Sequence, residues 1–334
     1  MVFDMVAVDL GKQSFHLHGV SGDGVVLSRK VSRAKFFAAV TELAPLNIAM
    51  EACPSAHYWG RRFQEAGHHV RLLHPRFVKP FVRGAKNDAI DAEAIFEAAN
   101  RPTMRFVPVK TVAQQDLQAV HRVRERLVCQ RTSLINQTRG LLAEYGIVLA
   151  KGPYRLAADG PAAVAEASLS DLARELFANL FDQLRDLEGR IKALDTRLVT
   201  ICRENLASRR LAAVPGIGPV IATALIASID DGRHFRSGRE LAAWIGLVPR
   251  QHTTGGKPKL GGIGRQANHY LRRQLIHGAR SVAFRIPGRD DVRSQWLQAL
   301  ITRRGFNRAV VALANKTARI AWVLLTRQEV YRAA

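Results

Sequence analysis

Residues 5–20, MVAVDLGKQSFHLHGV, carry the reading that decides the fold. The apolar run MVAVDLG (5–11) and the alternating FHLHGV (15–20) each have the length and pattern of one strand. Glycines between Gly19 and Gly24 turn the chain into a third run, GVVLSRKV. Outward from there, residues 34–44 predict a helix and NIAMEAC (47–53) a buried strand. HYWGRRFQEAG (57–67) predicts a helix closed by Gly67, and HVRLLHP (69–75) a strand stopped by Pro75. From Asp88 the alanine-rich DAIDAEAIFEAAN predicts another helix, ending before Pro102. Hairpin strands followed by α/β alternation imply an α/β domain with a mixed sheet over residues 1–110.

The middle of the chain, residues 111–207, reads as long helices. Residues 113–148 carry Leu117, Val120, Leu127, Leu134 and Leu141 on one stripe, interleaved with Arg122, Arg124, Arg126, Arg131 and Arg139. Residues 149–170, rich in Ala, Gly and Pro, read as a linker. In 171–207, Leu180, Leu184, Leu187, Ile191, Leu194 and Leu198 form a heptad seam. Such a seam closes either as a hairpin within the chain or against another chain; its narrowness favours the second, a coiled coil. Residues 208–334 form a mostly helical third region, with helices expected at 267–285 and 308–327.

The chain has 334 residues, 50 Lys and Arg against 28 Asp and Glu, and a net charge of +22. That excess implies a polyanionic partner, because neutralising phosphates releases counterions. No apolar run of about 18 residues is present to suggest a membrane partner, and the N-terminus does not read as a signal peptide. Cys53, Cys129 and Cys202 follow no metal-ligand spacing and read as inert buried thiols of a reducing compartment. His57, His68, His69 and His74 fit surface or nucleic-acid contacts better than zinc, and Trp59, Trp244, Trp296 and Trp322 read as core anchors.

The carboxylates carry the chemistry. Asp9 ends the first apolar strand, Glu51 lies in the third, and Asp88 and Asp91 share a helix face three residues apart. A charged carboxylate in an apolar strand costs several kcal/mol unless compensated. Four converging acids point to a hard divalent cation, Mg²⁺ where phosphates share the site, with Mn²⁺ as an alternative. The competing reading makes Asp88 a helix cap, Asp91 a dipole partner, and Asp9 and Glu51 salt-bridged structural residues.

Two elements suit DNA. In VPGIGP (214–219), Gly216 and Gly218 allow a tight turn before an apolar helix, as in a helix–hairpin–helix element whose free N–H groups hold phosphate. The same string also fits a plain helical corner. The glycine-rich basic loop at 253–265 and its flanks supply Arg250, Lys257, Lys259, Arg265, Arg272 and Arg273 as phosphate contacts.

VAVDLGKQSFHLHGV, IAMEACPSAHYWGRRFQEAGHHVRLLHP and KNDAIDAEAI together resemble the N-terminal domain of the insertion sequence 110 family of transposases, in its insertion sequence 1111 branch. Residues 246–273, IHGARSVAF and VALANKTARIAWVLL resemble the C-terminal domain of the same family. The resemblance covers nearly the whole chain. It implies an RNase H-like (RuvC-like) domain with a DEDD site at Asp9, Glu51, Asp88 and Asp91, holding Mg²⁺. It implies strand cleavage and rejoining of element ends and target DNA by a serine nucleophile. Here the family serine is replaced: Thr253 and Thr254 precede Gly255 and Gly256, and Thr254 aligns with it. Thr254, Thr253 and Ser281 are then the candidate hydroxyls. The resemblance further implies a structured noncoding guide RNA, composite sites in a homodimer or homotetramer, and a cytoplasmic, nucleoid-associated bacterial protein. The rivals are a hydrolytic RuvC-like nuclease and a non-catalytic nucleic-acid-binding protein.

Overall fold

A computed structural model describes residues 2–84, 87–264 and 267–332. The chain forms two compact units, Met1–Val112 and Ala113–Ala334. The first is built on a six-stranded sheet of order β3-β2-β1-β4-β5-β6. Its strands are β1 (Met5–Leu10), β2 (Ser14–Val20), β3 (Val26–Ser32), β4 (Asn47–Glu51), β5 (His69–Leu73) and β6 (Phe106–Val107). β1, β2 and β3 pair antiparallel, β1–β4 and β4–β5 pair parallel, and β6 returns antiparallel.

Strand parity divides this sheet. Val6, Val8, Ile48 and Met50 share a core with Phe36 and Val40 of α1 (Arg33–Thr41) and Trp59 and Phe63 of α2 (Ala56–Glu65). Met5, Ala7 and Ala49, on the opposite parity, share a core with Ala94, Ile95 and Ala98 of α4 (Asp88–Ala99). A short helix α3 (Pro75–Val78) leads from β5 toward α4. Alanine facing alanine lets α4 lie close on the strands, which carries its N-terminal acids to the strand ends.

The second unit begins with α5 (Val112–Glu144) and α7 (Asp171–Glu204), which run antiparallel within one chain. Leu134, Ile135 and Leu142 of α5 share a core with Phe177, Leu180 and Leu184 of α7, and Leu117 with Leu198. Arg124 grips Asp195 with Nε–Oδ1 at 2.5 Å and Nη2–Oδ2 at 3.2 Å. The expectation that the heptad seam favours another chain is therefore corrected: these seam residues are buried inside the protein's own helical hairpin.

The expected linker at 149–170 is also corrected, since it contains α6 (Pro153–Glu166). Leu156 and Val164 are buried with Phe177 and Phe181 of α7, and a Cβ at Gly160 would lie 2.8 Å from the Phe181 ring. Small residues there serve close packing, not looseness. Arg139 donates to the carbonyls of Leu149, Ala150 and Gly152, and Arg174 to those of Val164, Ala165 and Ala167. These two arginines thus tie down the ends of α6.

The remaining core surrounds α9 (Pro219–Ile229), which is buried on nearly every side. Around it lie α8 (Leu206–Ala212), α10 (Gly238–Ile245), α11 (His269–Ala283), α12 (Val292–Arg304) and α13 (Phe306–Arg327). α13 is long and apolar enough to cross a membrane, but 50% of its apolar window is buried in this unit. The expected loop at 253–265 is corrected to a two-stranded hairpin, β7 (Pro249–Thr254) and β8 (Lys257–Ile263). Of the four tryptophans, Trp59 is buried and Trp322 donates to Gly232 O at 3.1 Å. Trp244 (39%) and Trp296 (36%) are exposed, so the core-anchor reading fails for those two. The expectation of a buried thiol fails for Cys129, which is exposed.

Candidate active site

Asp9 follows Met5 and Ala7 in parity, and Glu51 follows Asn47 and Ala49. Both therefore face α4, at the C-terminal ends of the adjacent parallel strands β1 and β4. The parallel register runs to Val8↔Met50, which makes Asp9 and Glu51 the next pair along. Asp88 and Asp91 stand in the first turn of α4, where free N–H groups favour negative charge. The cap itself is Asn87, whose Oδ1 accepts from Ala89 N at 2.9 Å. Asp88 is therefore not the capping residue.

The electrostatics follow from this crowding. Burial raises the Glu51 pKa above the usual carboxylate range, and the charge of Asp91 raises it further. The nearby Cys53 thiol is pushed up to about 11, by burial first and then by Glu51 and Asp9. Asp9, Glu51 and Asp91 thus feel one another through a half-buried space. Asp88 turns outward to Lys30 of β3, at 3.6 Å.

A row of side chains crosses the same sheet face. Asp9 lies opposite His16 of β2, and His16 opposite Lys30. His16 Nε2 is 2.9 Å from Ser28 Oγ, and burial lowers its pKa. His16 and Lys30 were not anticipated, because cross-strand register is invisible until the Ser21–Val25 turn is located.

Among the described residues no three His, Cys, Asp or Glu side chains close on one point as metal ligands do. The donor set nevertheless fits a hard cation, since its oxygens lie at the ends of rigid elements and the like-charge repulsion is what a cation relieves. His57, His68 and His74 are otherwise engaged: their Nδ1 atoms accept from the backbone N–H groups of Lys110, Leu46 and Arg76 respectively.

The other sequence-predicted residues lie in the second unit. Arg250, Lys257 and Lys259 are exposed on the β7–β8 hairpin, with Thr254 opposite Lys257 at its end. Gly255 (φ +56°) and Gly256 (φ +75°) form its two-residue turn, a conformation glycine adopts without strain. Gln251 Nε2 donates to Thr253 Oγ1 at 3.1 Å, while Thr254 pairs with Lys257 in the backbone ladder. Arg265 lies outside the described residues. Arg272 and Arg273 stand on α11 and are partly committed: Arg272 to Gly264 O (2.6 Å) and His269, Arg273 to Glu125. Ser281 is exposed on α11. Gly216 (φ +93°) and Gly218 form the α8–α9 turn, and a Cβ on Gly278 of α11 would lie 1.9 Å from Gly216 O.

A polar network beneath α11 also escaped the sequence reading. Thr223 Oγ1 donates to Pro219 O (2.7 Å) and therefore accepts from His121 Nε2–H (3.0 Å), leaving His121 Nδ1 to accept from Tyr270 OH (2.9 Å). Burial, helped by Arg124, lowers the His121 pKa to about 4, and burial pushes Tyr270 up to about 12. Both are neutral, and together they tie α5 to α9 and α11.

Two families match the chain: residues 6–147 match a DEDD transposase domain of the IS110 group, and residues 208–296 match the family described as Transposase IS116/IS110/IS902. A Pseudomonas aeruginosa protein named "Probable family 20 transposase" is 48% identical over 336 residues, 99% of each chain. The chain belongs to the IS110 family of transposases. The transposase of insertion sequence element IS1111A from Coxiella burnetii is 43% identical, covering 98% of this transposase and 91% of that one. That of IS1328 from Yersinia enterocolitica is 38% identical, covering 98% of each. This transposase is thus an enzyme acting on DNA, and its DEDD domain implies a divalent metal.

Proposed function

We propose that this transposase cuts and rejoins DNA strands by Mg²⁺-dependent phosphoryl transfer to a hydroxyl nucleophile, with Thr254 in that role. One observation carries the reading: Asp9 and Glu51 stand side by side at the C-terminal ends of β1 and β4, on the sheet face covered by α4, whose first turn carries Asp88 and Asp91. Asp9, Glu51, Asp88 and Asp91 would hold the ion, Mn²⁺ being an alternative. When bound, it supplies Lewis acidity toward a scissile phosphate. The sheet order supports an RNase H-like, RuvC-like reading of residues 1–110, with the first two acids at the ends of β1 and β4.

In the reaction Thr254 loses its hydroxyl proton and Oγ1 bonds to phosphorus. The ester oxygen of the neighbouring nucleotide leaves and takes up a proton. Rejoining is the same exchange with a DNA hydroxyl as the incoming group. The cations of Arg250 and Lys257 on the same hairpin balance the charge that develops on phosphorus-bound oxygen. Residues 111–207 serve as a helical connector and 208–334 as the DNA-engaging transposase domain, with Gly216 and Gly218 in a helix–hairpin–helix-like turn. The family resemblance adds a structured noncoding guide RNA and a homodimer or homotetramer, and the net charge of +22 supports a polyanionic partner.

Incubation with Mg²⁺, labelled element-end DNA and RNA transcribed from the flanking noncoding region tests this on a denaturing gel. A protein–DNA band that survives SDS is expected, lost in Asp9→Asn and in Thr254→Ala and strengthened in Thr254→Ser. Threonine's more crowded secondary hydroxyl favours one second reading, a hydrolytic nuclease. Cleavage without a covalent band, lost only in Asp9→Asn, would establish that reading instead.

A further inference from the structure

A groove of about 1520 Å³ runs along α13 in the second unit, lined also by the N-terminal ends of α10 and α12 and by Val214 and Pro215 of the glycine turn. It exceeds the roughly 300–1,000 Å³ of small-ligand pockets, which points to a segment of a chain rather than a metabolite. Its wall is fixed by close packing, since a Cβ on Gly238 of α10 would lie 3.0 Å from the Arg319 backbone of α13.

Cations outnumber acids in the lining, with Arg239, Arg293, Lys316, Arg319 and Arg332 against Asp291 and Glu329. Arg239, Lys316 and Arg319 are exposed in it and form no ion pair with a described residue. Its two acids already have partners: Asp291 caps α12 by accepting from Ser294 N (3.1 Å) and Ser294 Oγ (2.6 Å), and Glu329 pairs with Arg327 at 3.8 Å. Trp296, 36% exposed, lines the groove with Lys316 Nζ lying over its ring, 4.7 Å from the centroid. Cations that follow a backbone, set beside an aromatic face, are what unpaired bases require.

We infer that this groove binds an unpaired DNA strand, stacking a base on Trp296 while Arg239, Lys316 and Arg319 follow its phosphates. None of its lining residues belongs to the β7–β8 hairpin or to the DEDD set. It rests on the strand-transfer reading only in taking DNA as the polyanion: an enzyme that opens and rejoins strands must hold one of them away from its complement.

Fluorescence anisotropy on the full-length Asp9→Asn protein without Mg²⁺ tests this with no chemistry intervening. The probes are labelled oligo(dT), oligo(rU) and duplex DNA of one length. Trp296→Ala should weaken oligo(dT) binding at least about fivefold, the lower bound for one stacked base. Lys316→Glu combined with Arg319→Glu should weaken it further and flatten its salt dependence. Duplex affinity should hold within about twofold for Trp296→Ala. Trp296→Phe, which keeps an aromatic face, should recover most of the loss, and this separates stacking from misfolding. Unchanged oligo(dT) binding in both variants would overturn the inference. So would equal losses for oligo(dT) and duplex in Trp296→Ala, or preferential loss of oligo(rU), which would make the strand RNA. None of these outcomes depends on whether a covalent adduct forms.

Discussion

At the scale of the residue, Glu51 shows what the site costs the fold. Burial and Asp91 raise its pKa, so the folded unit holds this proton more tightly than the unfolded chain, whose value is near 4.5. The sign follows: its contribution is complete below that value and is lost as pH rises through the raised one. Glu51→Gln should therefore raise the melting temperature by about 2–4 °C at neutral or alkaline pH and by nothing near pH 4, while abolishing strand cleavage. Thermal melts at the two pH values check this; an equal shift at both would show that the side chain's charge is not the cause. The acids themselves were legible as residues, because charged groups interrupting apolar strands are conspicuous. Their neighbours His16 and Lys30 were not, because they join the row only through strand pairing.

At the scale of the element, two packing details make predictions. Leu184 is 2% exposed and is buried with residues of α5, α6 and α7 of the same chain. Leu184→Ala should cost about 2–5 kcal/mol, and the melting temperature it lowers should not depend on protein concentration. A concentration-dependent loss would return the seam to an intermolecular role. Gly278 meets Gly216 backbone to backbone, so Gly278→Ala forces α11 off the α8–α9 turn. A destabilisation of about 1–3 kcal/mol in denaturant melts is expected, with duplex DNA binding impaired if that turn holds phosphate. The hairpin at 249–263 was the element most readily misread. Its Gly-Gly pair is a two-residue turn signal, but strands with no buried face lack the apolar alternation by which strands are recognised.

At the scale of the whole molecule, each unit carries its own core, and that of the second includes residues from Leu117 to Leu325. Residues 113–334 expressed alone should fold, giving a helical circular dichroism spectrum and one cooperative melt. A non-cooperative melt would show that the second unit depends on the first. The α/β sheet, the long helices and the four acidic residues could be stated from sequence, because periodicity and charge placement are local properties, and the family from its resemblance over nearly the whole chain. Tertiary structure alone decided the destination of the heptad seam, the order hidden in residues 149–170, the internal use of Arg139, Arg174 and Arg273, and the groove beside Trp296. The physical reason is the same in each case. A sequence lists which groups need a partner, but several partners satisfy the same apolar stripe or guanidinium, and only packing in three dimensions selects among them.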